Sequence, residues 1–180
     1  MAICKFYKAA LPILFALFLP VFCQAQQETP LQIFGGYSFV RFDSTQVQFP
    51  DKSNLHGANI AASYRIYHQL GVVADASANF GSNQDFYNIA IGPQLTFSVP
   101  KGTAFVRFMY GRARERITLG PGFSSIGRSL DFGGGYDYDV GRRFSIRVVQ
   151  FDYLNTHDFG NTESNFRISA GVVFQLFGKK

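Results

Sequence analysis

Hydrophobic and polar residues alternate one by one along most of the chain after residue 30. Between Leu70 and Phe80, the even positions hold Leu, Val, Ala and Phe, whereas the odd positions include Gly, Asp, Ser and Asn. A period of two is typical of a β-strand, because successive side chains point to opposite faces. After residue 26, no segment keeps a helical period or an apolar run of the roughly 20 residues that a membrane helix needs.

Eight such runs predict eight strands. They are Leu31–Phe42, Gly57–Tyr67, Leu70–Phe80, Phe86–Ser98, Thr103–Arg114, Gly127–Asp139, Arg143–Leu154 and Asn165–Phe177. In the seventh run the alternation fails between Gln150 and Tyr153, which indicates either a β-bulge or the point where the strand leaves the apolar layer.

The predicted connections alternate between short and long. Those after strands two, four and six are tight (68–69, 99–102 and 140–142), whereas those after strands one, three, five and seven are mostly longer (43–56, 81–85, 115–126 and 155–164). In an antiparallel meander the two kinds fall on opposite rims. Together with the even strand number, this predicts an all-β fold, an eight-stranded antiparallel up-and-down transmembrane β-barrel.

A soluble barrel of the lipocalin type is the structural alternative, and it requires an apolar interior. The polar faces of the predicted strands carry few charges and many small residues, which suits a narrow lumen better than a water-facing surface. The apolar faces would then meet lipid, where a closed barrel pairs every backbone group. Five tyrosines near strand ends are expected to form an aromatic girdle: Tyr64, Tyr67, Tyr110, Tyr136 and Tyr138.

The first 25 residues have the character of a secretory signal peptide. Lys5 and Lys8 precede an uncharged apolar stretch at 9–22, and Ala25 offers a small residue for cleavage. We expect a barrel domain at 26–180 that contains no cysteine, because Cys4 and Cys23 both precede it. The net charge of +5 falls to +3 without the two leader lysines, which does not favour nucleic-acid binding.

Several segments resemble the OmpA-like β-barrel domains, a superfamily of small outer-membrane proteins. The resemblance rests on Ile33–Phe39, Gly133–Asp137, Arg147 with Asp152–Leu154, and Ser169–Phe174. It implies a bacterial outer-membrane location, reached through the periplasm with the help of periplasmic chaperones and the barrel-assembly machinery. The C-terminal run Gly171, Phe174, Leu176 and Phe177 is similar to the signal that this machinery reads, although Leu176 stands where an aromatic residue is usual.

Charged residues on the predicted lumen face are the first candidate site. They are Asp75, Arg107, Asp131, Asp137, Arg147 and Arg167. Ions in a low-dielectric interior need partners, so a plug of salt bridges is the favoured interpretation. A gated ion path is the alternative, although eight strands leave little room for a water column.

A second candidate lies at the end of strand five, where Arg112, Arg114 and Arg116 continue into the third long connection. They form either a solvated loop stem or a positive collar at the outer rim. Such a collar would bind the phosphates of lipopolysaccharide, since arginine pairs with phosphate in a bidentate manner.

Catalysis has weak support in this sequence. His56, His68 and His157 are expected in connections, without the spacing of a metal site, and no cofactor is indicated. The Gly133–Gly135 run is interpreted as room for close packing inside the barrel. The predicted function is therefore a non-catalytic, structural or surface-interaction role for a monomeric outer-membrane barrel. A narrow ion or small-solute pore is the alternative, followed by a lipid-modifying enzyme.

Overall fold

The protein forms one closed barrel of eight antiparallel strands, in a computed structural model that describes residues 31–42, 53–82, 84–117, 123–158 and 161–176. The strands are β1 (Leu31–Phe42), β2 (Ser53–Tyr67), β3 (Leu70–Phe80), β4 (Gln84–Val99), β5 (Gly102–Ile117), β6 (Phe123–Asp139), β7 (Phe144–Asp158) and β8 (Asn161–Gln175). Each strand pairs with its neighbour in sequence, and β1 pairs with β8 to close the barrel. The predicted fold is confirmed. The expected signal peptide lies outside the described residues.

Most strands are longer than the alternation predicts, and they extend toward the side of the long connections. β1 and β3 have the predicted bounds, whereas β2 begins at Ser53, β6 begins at Phe123 and β7 continues to Asp158. Backbone pairing of β5 with β6 runs without a gap from Gly102 to Ile117. The sequence pattern stops earlier because it marks only the part of each strand whose outer face is apolar.

The apolar faces of the strands lie on the outside of the barrel. Ile60, Ile89 and Phe132 are each more than half exposed, whereas Asp75 and Arg107 in the lumen are 1% and 2% exposed. A lipocalin-like barrel would show the reverse distribution. The burial pattern therefore excludes the soluble alternative and agrees with a wall that faces hydrocarbon.

Two apolar clusters pack inside the lumen. The first contains Phe34, Ala61, Val73, Ala90, Met109 and Val173. The second contains Val40, Leu55, Phe86, Ala113 and Leu154. Because Leu55 and Phe86 are the third residues of their strands and Val40 precedes the end of β1 by two residues, the second cluster lies near the long connections. The lumen is thus filled by side chains, as expected for eight strands.

Strand β7 contains a β-bulge between Arg147 and Gln150. Arg147 pairs with Gly171 and Gln150 pairs with Ser169, so two residues of β7 stand opposite one residue of β8. The extra residue reverses the alternation, which means that Arg147 and Gln150 both point into the lumen. The bulge was one of the two interpretations of the irregular alternation, and it is confirmed. The other is wrong, because β7 continues for eight residues past Gln150.

Tyrosines on the outer wall form two levels. Tyr64, Tyr67 and Tyr138 are exposed near the short connections, and Tyr136 beside them donates a hydrogen bond to the Pro100 carbonyl oxygen at 3.4 Å. Tyr110 stands on the opposite side of the apolar zone, because β5 continues seven residues beyond it. The five tyrosines therefore border the apolar zone from both sides, in the manner of the girdles of membrane barrels.

Candidate functional site

Two arginines and two aspartates form a closed ring of ion pairs in the middle of the lumen. Arg107 Nη2 lies 3.1 Å from Asp75 Oδ2 and 2.9 Å from Asp152 Oδ1. Arg167 Nη1 lies 2.9 Å from Asp75 Oδ1, and its Nε lies 3.0 Å from Asp152 Oδ2. All four side chains are inaccessible to solvent. Each charge in this ring therefore has two partners of opposite sign.

This ring spans the full width of the barrel. Asp75 is on β3 and Asp152 is on β7, and strands four apart in a closed barrel of eight are opposite walls. Arg107, on the intervening β5, contacts both carboxylates with the same Nη2 nitrogen. The ion pairs consequently occupy the centre of the lumen, where a water column would have to pass.

Polar side chains around the ring add hydrogen bonds to both of its carboxylates. The Asn59 amide donates to Asp75 Oδ2 at 2.7 Å, and Gln150 Nε2 donates to Asp152 Oδ2 at 2.7 Å. Such additional hydrogen bonds are needed because desolvation of buried charges otherwise exceeds their mutual attraction.

A second ion pair joins Arg147 to Asp137 and is linked to the ring. Arg147 Nε and Nη2 donate to the two oxygens of Asp137 at 2.7 and 3.0 Å. Its guanidinium carbon lies 4.2 Å from the ring centre of Phe34 and 4.3 Å from that of Phe105. Its Nη1 donates to Gln150 Oε1 at 2.6 Å, and Gln150 in turn contacts the central ring. Arg147 is thus held by a carboxylate, an amide and two aromatic faces.

Asp131 differs from the other predicted lumen charges. It is buried and accepts hydrogen bonds from Ser129 Oγ and, at 2.6 Å, from Asn88 Nδ2. Among the described residues no arginine forms a salt bridge with it. The structure therefore groups five of the six predicted lumen charges into ion pairs, whereas the hydrogen bonds of Asp131 come from neutral side chains.

Asp152 is the lumen charge that the alternation missed. Without the bulge in β7, the phase set by Arg147 would place Asp152 on the outer wall. The change of phase turns it inward, where it is 2% exposed and pairs with both arginines of the ring. The irregular alternation at Gln150–Tyr153 was the only signal of this in the sequence.

Glycines in β6 make room for these inward side chains. A methyl group on Gly133 would overlap the carboxylate of Asp152, and one on Gly135 would lie 2.8 Å from Cζ of Phe105, which stacks on Arg147. The interpretation as packing space inside the barrel is confirmed for Gly133 and Gly135, whereas Gly134 between them lies on the outer face of β6.

Outside the lumen, the arginines at the end of β5 form part of a larger cluster. Arg112, Arg114 and Arg116 all lie within β5, which continues to Ile117, and all three are exposed on its outer face. Arg128 of β6 is exposed on the same face and stands directly opposite Arg112 in the strand register. Strand pairing therefore adds a fourth arginine that lies far from the others in sequence.

The remaining candidates lie apart from these two sites. His56 belongs to β2 and His157 to β7, not to connections, whereas His68 is in the turn between β2 and β3. The Nδ1 atom of His56 shares a hydrogen bond with the Tyr37 hydroxyl on the outer wall. Gly171 faces the lumen, Phe174 and Leu176 face outward, and Phe177 lies outside the described residues.

Other chemistry has little support in the described part of the chain. No group of three or more His, Cys, Asp or Glu side chains there has the arrangement of a metal site. No helix in the described ranges has the length and hydropathy of a membrane span.

Comparison with known proteins gives structural matches. No family model matches the chain, and no curated protein sequence matches it. Neisserial surface protein A (NspA) is similar with a TM-score of 0.65 and 15% identity, over 82% of this chain and 98% of its own. Ail, the attachment invasion locus protein of Yersinia pestis, is similar with a TM-score of 0.50 and 20% identity, over 82% of this chain and 99% of its own. The outer membrane protein OprG from Pseudomonas aeruginosa has a TM-score of 0.52 and 11% identity, over 82% of this chain and 95% of its own.

These similarities establish the fold. The chain has the architecture of the small eight-stranded outer-membrane β-barrels, and it spans nearly the whole length of the structures it matches. The fold implied by the resemblance to OmpA-like domains is confirmed.

Proposed function

We propose that this protein is a non-catalytic outer-membrane barrel with a closed lumen and a structural or surface-interaction role. The carrying observation is the ring of Asp75, Arg107, Asp152 and Arg167, whose side chains meet across the barrel with no accessible surface. An ion path would need hydrated, partly unpaired charges along the axis. Here each charge of the ring is already paired with two others.

The apolar zone of the outer wall supports a membrane location. On β4 the outward row from Tyr87 to Phe97 is apolar throughout, including Ile89, Ile91 and Leu95. Ten residues of strand at about 3.3 Å each, tilted by about 40°, span about 25 Å along the barrel axis. This equals the height of the apolar band in outer-membrane barrels. Export through the periplasm and insertion by the barrel-assembly machinery belong to the same proposal.

The strands also support a surface role, because they extend beyond this apolar zone. β6, with 17 residues, spans about 40 Å along the axis at the same rise and tilt. The excess of about 15 Å lies on the side of the long connections and carries polar and charged outward residues such as Arg128 and Ser124. Ail is by name an attachment and invasion protein, and we extend to this chain only the general role of surface contact.

Planar-bilayer recording tests the closed lumen. The mature chain, inserted from detergent, is expected to give no regular conductance steps, while its shift on unboiled SDS gels shows that the inserted protein is folded. The charge-balanced variant Asp75→Ser/Arg107→Ser removes two members of the ring and is expected to raise ion permeation. Regular steps from the unaltered chain, reduced by Arg107→Gln, would instead identify a pore. Turnover of labelled phospholipid by the unaltered chain would identify a lipid-modifying enzyme.

A further inference from the structure

The outer wall carries four arginines in a compact area where β5 and β6 pair. Arg112, Arg114 and Arg116 occupy alternate positions of β5, and Arg128 of β6 is the direct cross-strand neighbour of Arg112. Side chains directly opposite each other in a sheet have Cβ atoms about 4.5–5.5 Å apart, and like charges in such pairs are destabilising. The Arg112–Arg128 pair therefore has an electrostatic cost in the isolated protein.

Nothing in the described part of the chain neutralises this cost. No carboxylate forms a salt bridge with any of the four arginines there, although Asp85 stands opposite Arg116 in the register. Arg114 Nε instead donates a hydrogen bond to Ser124 Oγ at 3.1 Å. Within the described residues, the guanidinium groups of Arg112 and Arg128 thus have no anionic partner and can bind an external anion.

The position of the cluster indicates what kind of anion it would meet. On β4 the cross-strand neighbours of Arg112 and Arg114 are Ile89 and Tyr87, both of which face outward. The next outward-facing residues of β5 and β6 toward the short connections are Tyr110 and Leu130, and each is more than 40% exposed. The arginines therefore begin where the apolar wall ends, and an anion at this level that is attached to hydrocarbon chains would have apolar surface directly below it.

We infer that Arg112 and Arg128, flanked by Arg114, form a binding site for the phosphorylated headgroup of an outer-leaflet lipid of the lipopolysaccharide class. Two guanidinium groups side by side suit a headgroup with two phosphates, since each arginine pairs with phosphate in a bidentate manner. The acyl chains would pack on Ile89, Tyr110 and Leu130 below. This inference rests on the membrane location argued under Proposed function.

Thermal unfolding in detergent, with and without added lipid, separates the repulsion between Arg112 and Arg128 from their contribution to lipid binding. In detergent alone, Arg112→Gln/Arg128→Gln is expected to unfold at the same temperature as the unaltered chain or at a higher one, because like-charge repulsion is removed. When lipid A with two phosphates is added, the unaltered chain is expected to gain several degrees. The double variant is expected to gain less, with an apparent affinity about tenfold weaker or more.

A matched control and two competing probes complete the test. Arg41→Gln/Arg142→Gln removes the same charge elsewhere on the exposed surface, Arg41 being on β1, four strands from β5, and should keep the full response to lipid A. Lipid A with a single phosphate should stabilise the unaltered chain less. Inorganic phosphate at matched concentration should not compete, and equal competition would overturn the assignment to a lipid.

Equal lipid responses of the unaltered chain and Arg112→Gln/Arg128→Gln would also overturn the inference. That result would leave the proposed function standing if both proteins insert into bilayers and stay closed. Failure of the unaltered chain to insert would instead contradict the proposed function itself.

Discussion

Asp152 Oδ2 lies 3.0 Å from Arg167 Nε inside the lumen, although uninterrupted alternation along β7 would have pointed Asp152 at the outer wall. The bulge between Arg147 and Gln150 changes the phase of the strand and brings this carboxylate to its partners. The ring of ion pairs therefore depends on this bulge, which lets Arg147 and Asp152 both point into the lumen although an odd number of positions separates them.

Removal of the Asp152 charge is expected to destabilise the barrel strongly. Asp152→Asn leaves Arg107 and Arg167 sharing one carboxylate, and breaking a buried ion pair costs about 3–5 kcal/mol. Urea unfolding in lipid vesicles measures the free energy of unfolding. Asp85→Asn, which changes a carboxylate outside the lumen, is the control and should shift it by no more than about 0.5 kcal/mol. Equal effects of the two variants would contradict the structural role of the ring.

Deletion of Val149 is expected to retain the fold. Val148 alone would then stand opposite Ala170, the alternation of β7 would become regular, and Gln150 and Asp152 would still point into the lumen. The measurement is the gel shift between boiled and unboiled samples after refolding. Val149→Ala keeps the bulge and serves as the control, which should also show the shift. Loss of the shift in the deletion variant alone would show that the barrel needs the bulge itself.

Gly133→Ala is expected to cost about 1–3 kcal/mol, because the added methyl group would overlap the Asp152 carboxylate in a filled lumen. Gly35→Ala supplies the matched control, since a methyl group there would have nothing within 4 Å. The two variants are compared by urea unfolding. If both were neutral, the lumen would have more free space than the packing indicates.

A charge in the middle of the apolar zone tests the membrane-facing wall. Ile91 is 60% exposed at the centre of the outward row of β4, and Ile91→Lys is expected to destabilise the barrel in bilayers by about 2–4 kcal/mol. Ile91→Leu should cost less than about 1.5 kcal/mol. In a soluble barrel, lysine at so exposed a position would be neutral, so a neutral result would argue against the bilayer.

The sequence by itself determined the number of strands, the antiparallel meander and which residues share a face of most strands. β1 and β3 have the predicted bounds, and the alternation correctly turned Asp75, Arg107 and Arg167 to one face. This was possible because the period of two is a local property of an extended backbone.

Only the tertiary structure decided which face was inside, where the strands end and which charges meet. Asp75 and Asp152 are on opposite walls and become neighbours through Arg107 only when the barrel closes. In the same way, Arg128 joins Arg112 through the register of β5 with β6. Closure and register each relate residues that are distant in sequence, so no local pattern can report them, whereas the bulge left a local signal in the irregular alternation of β7.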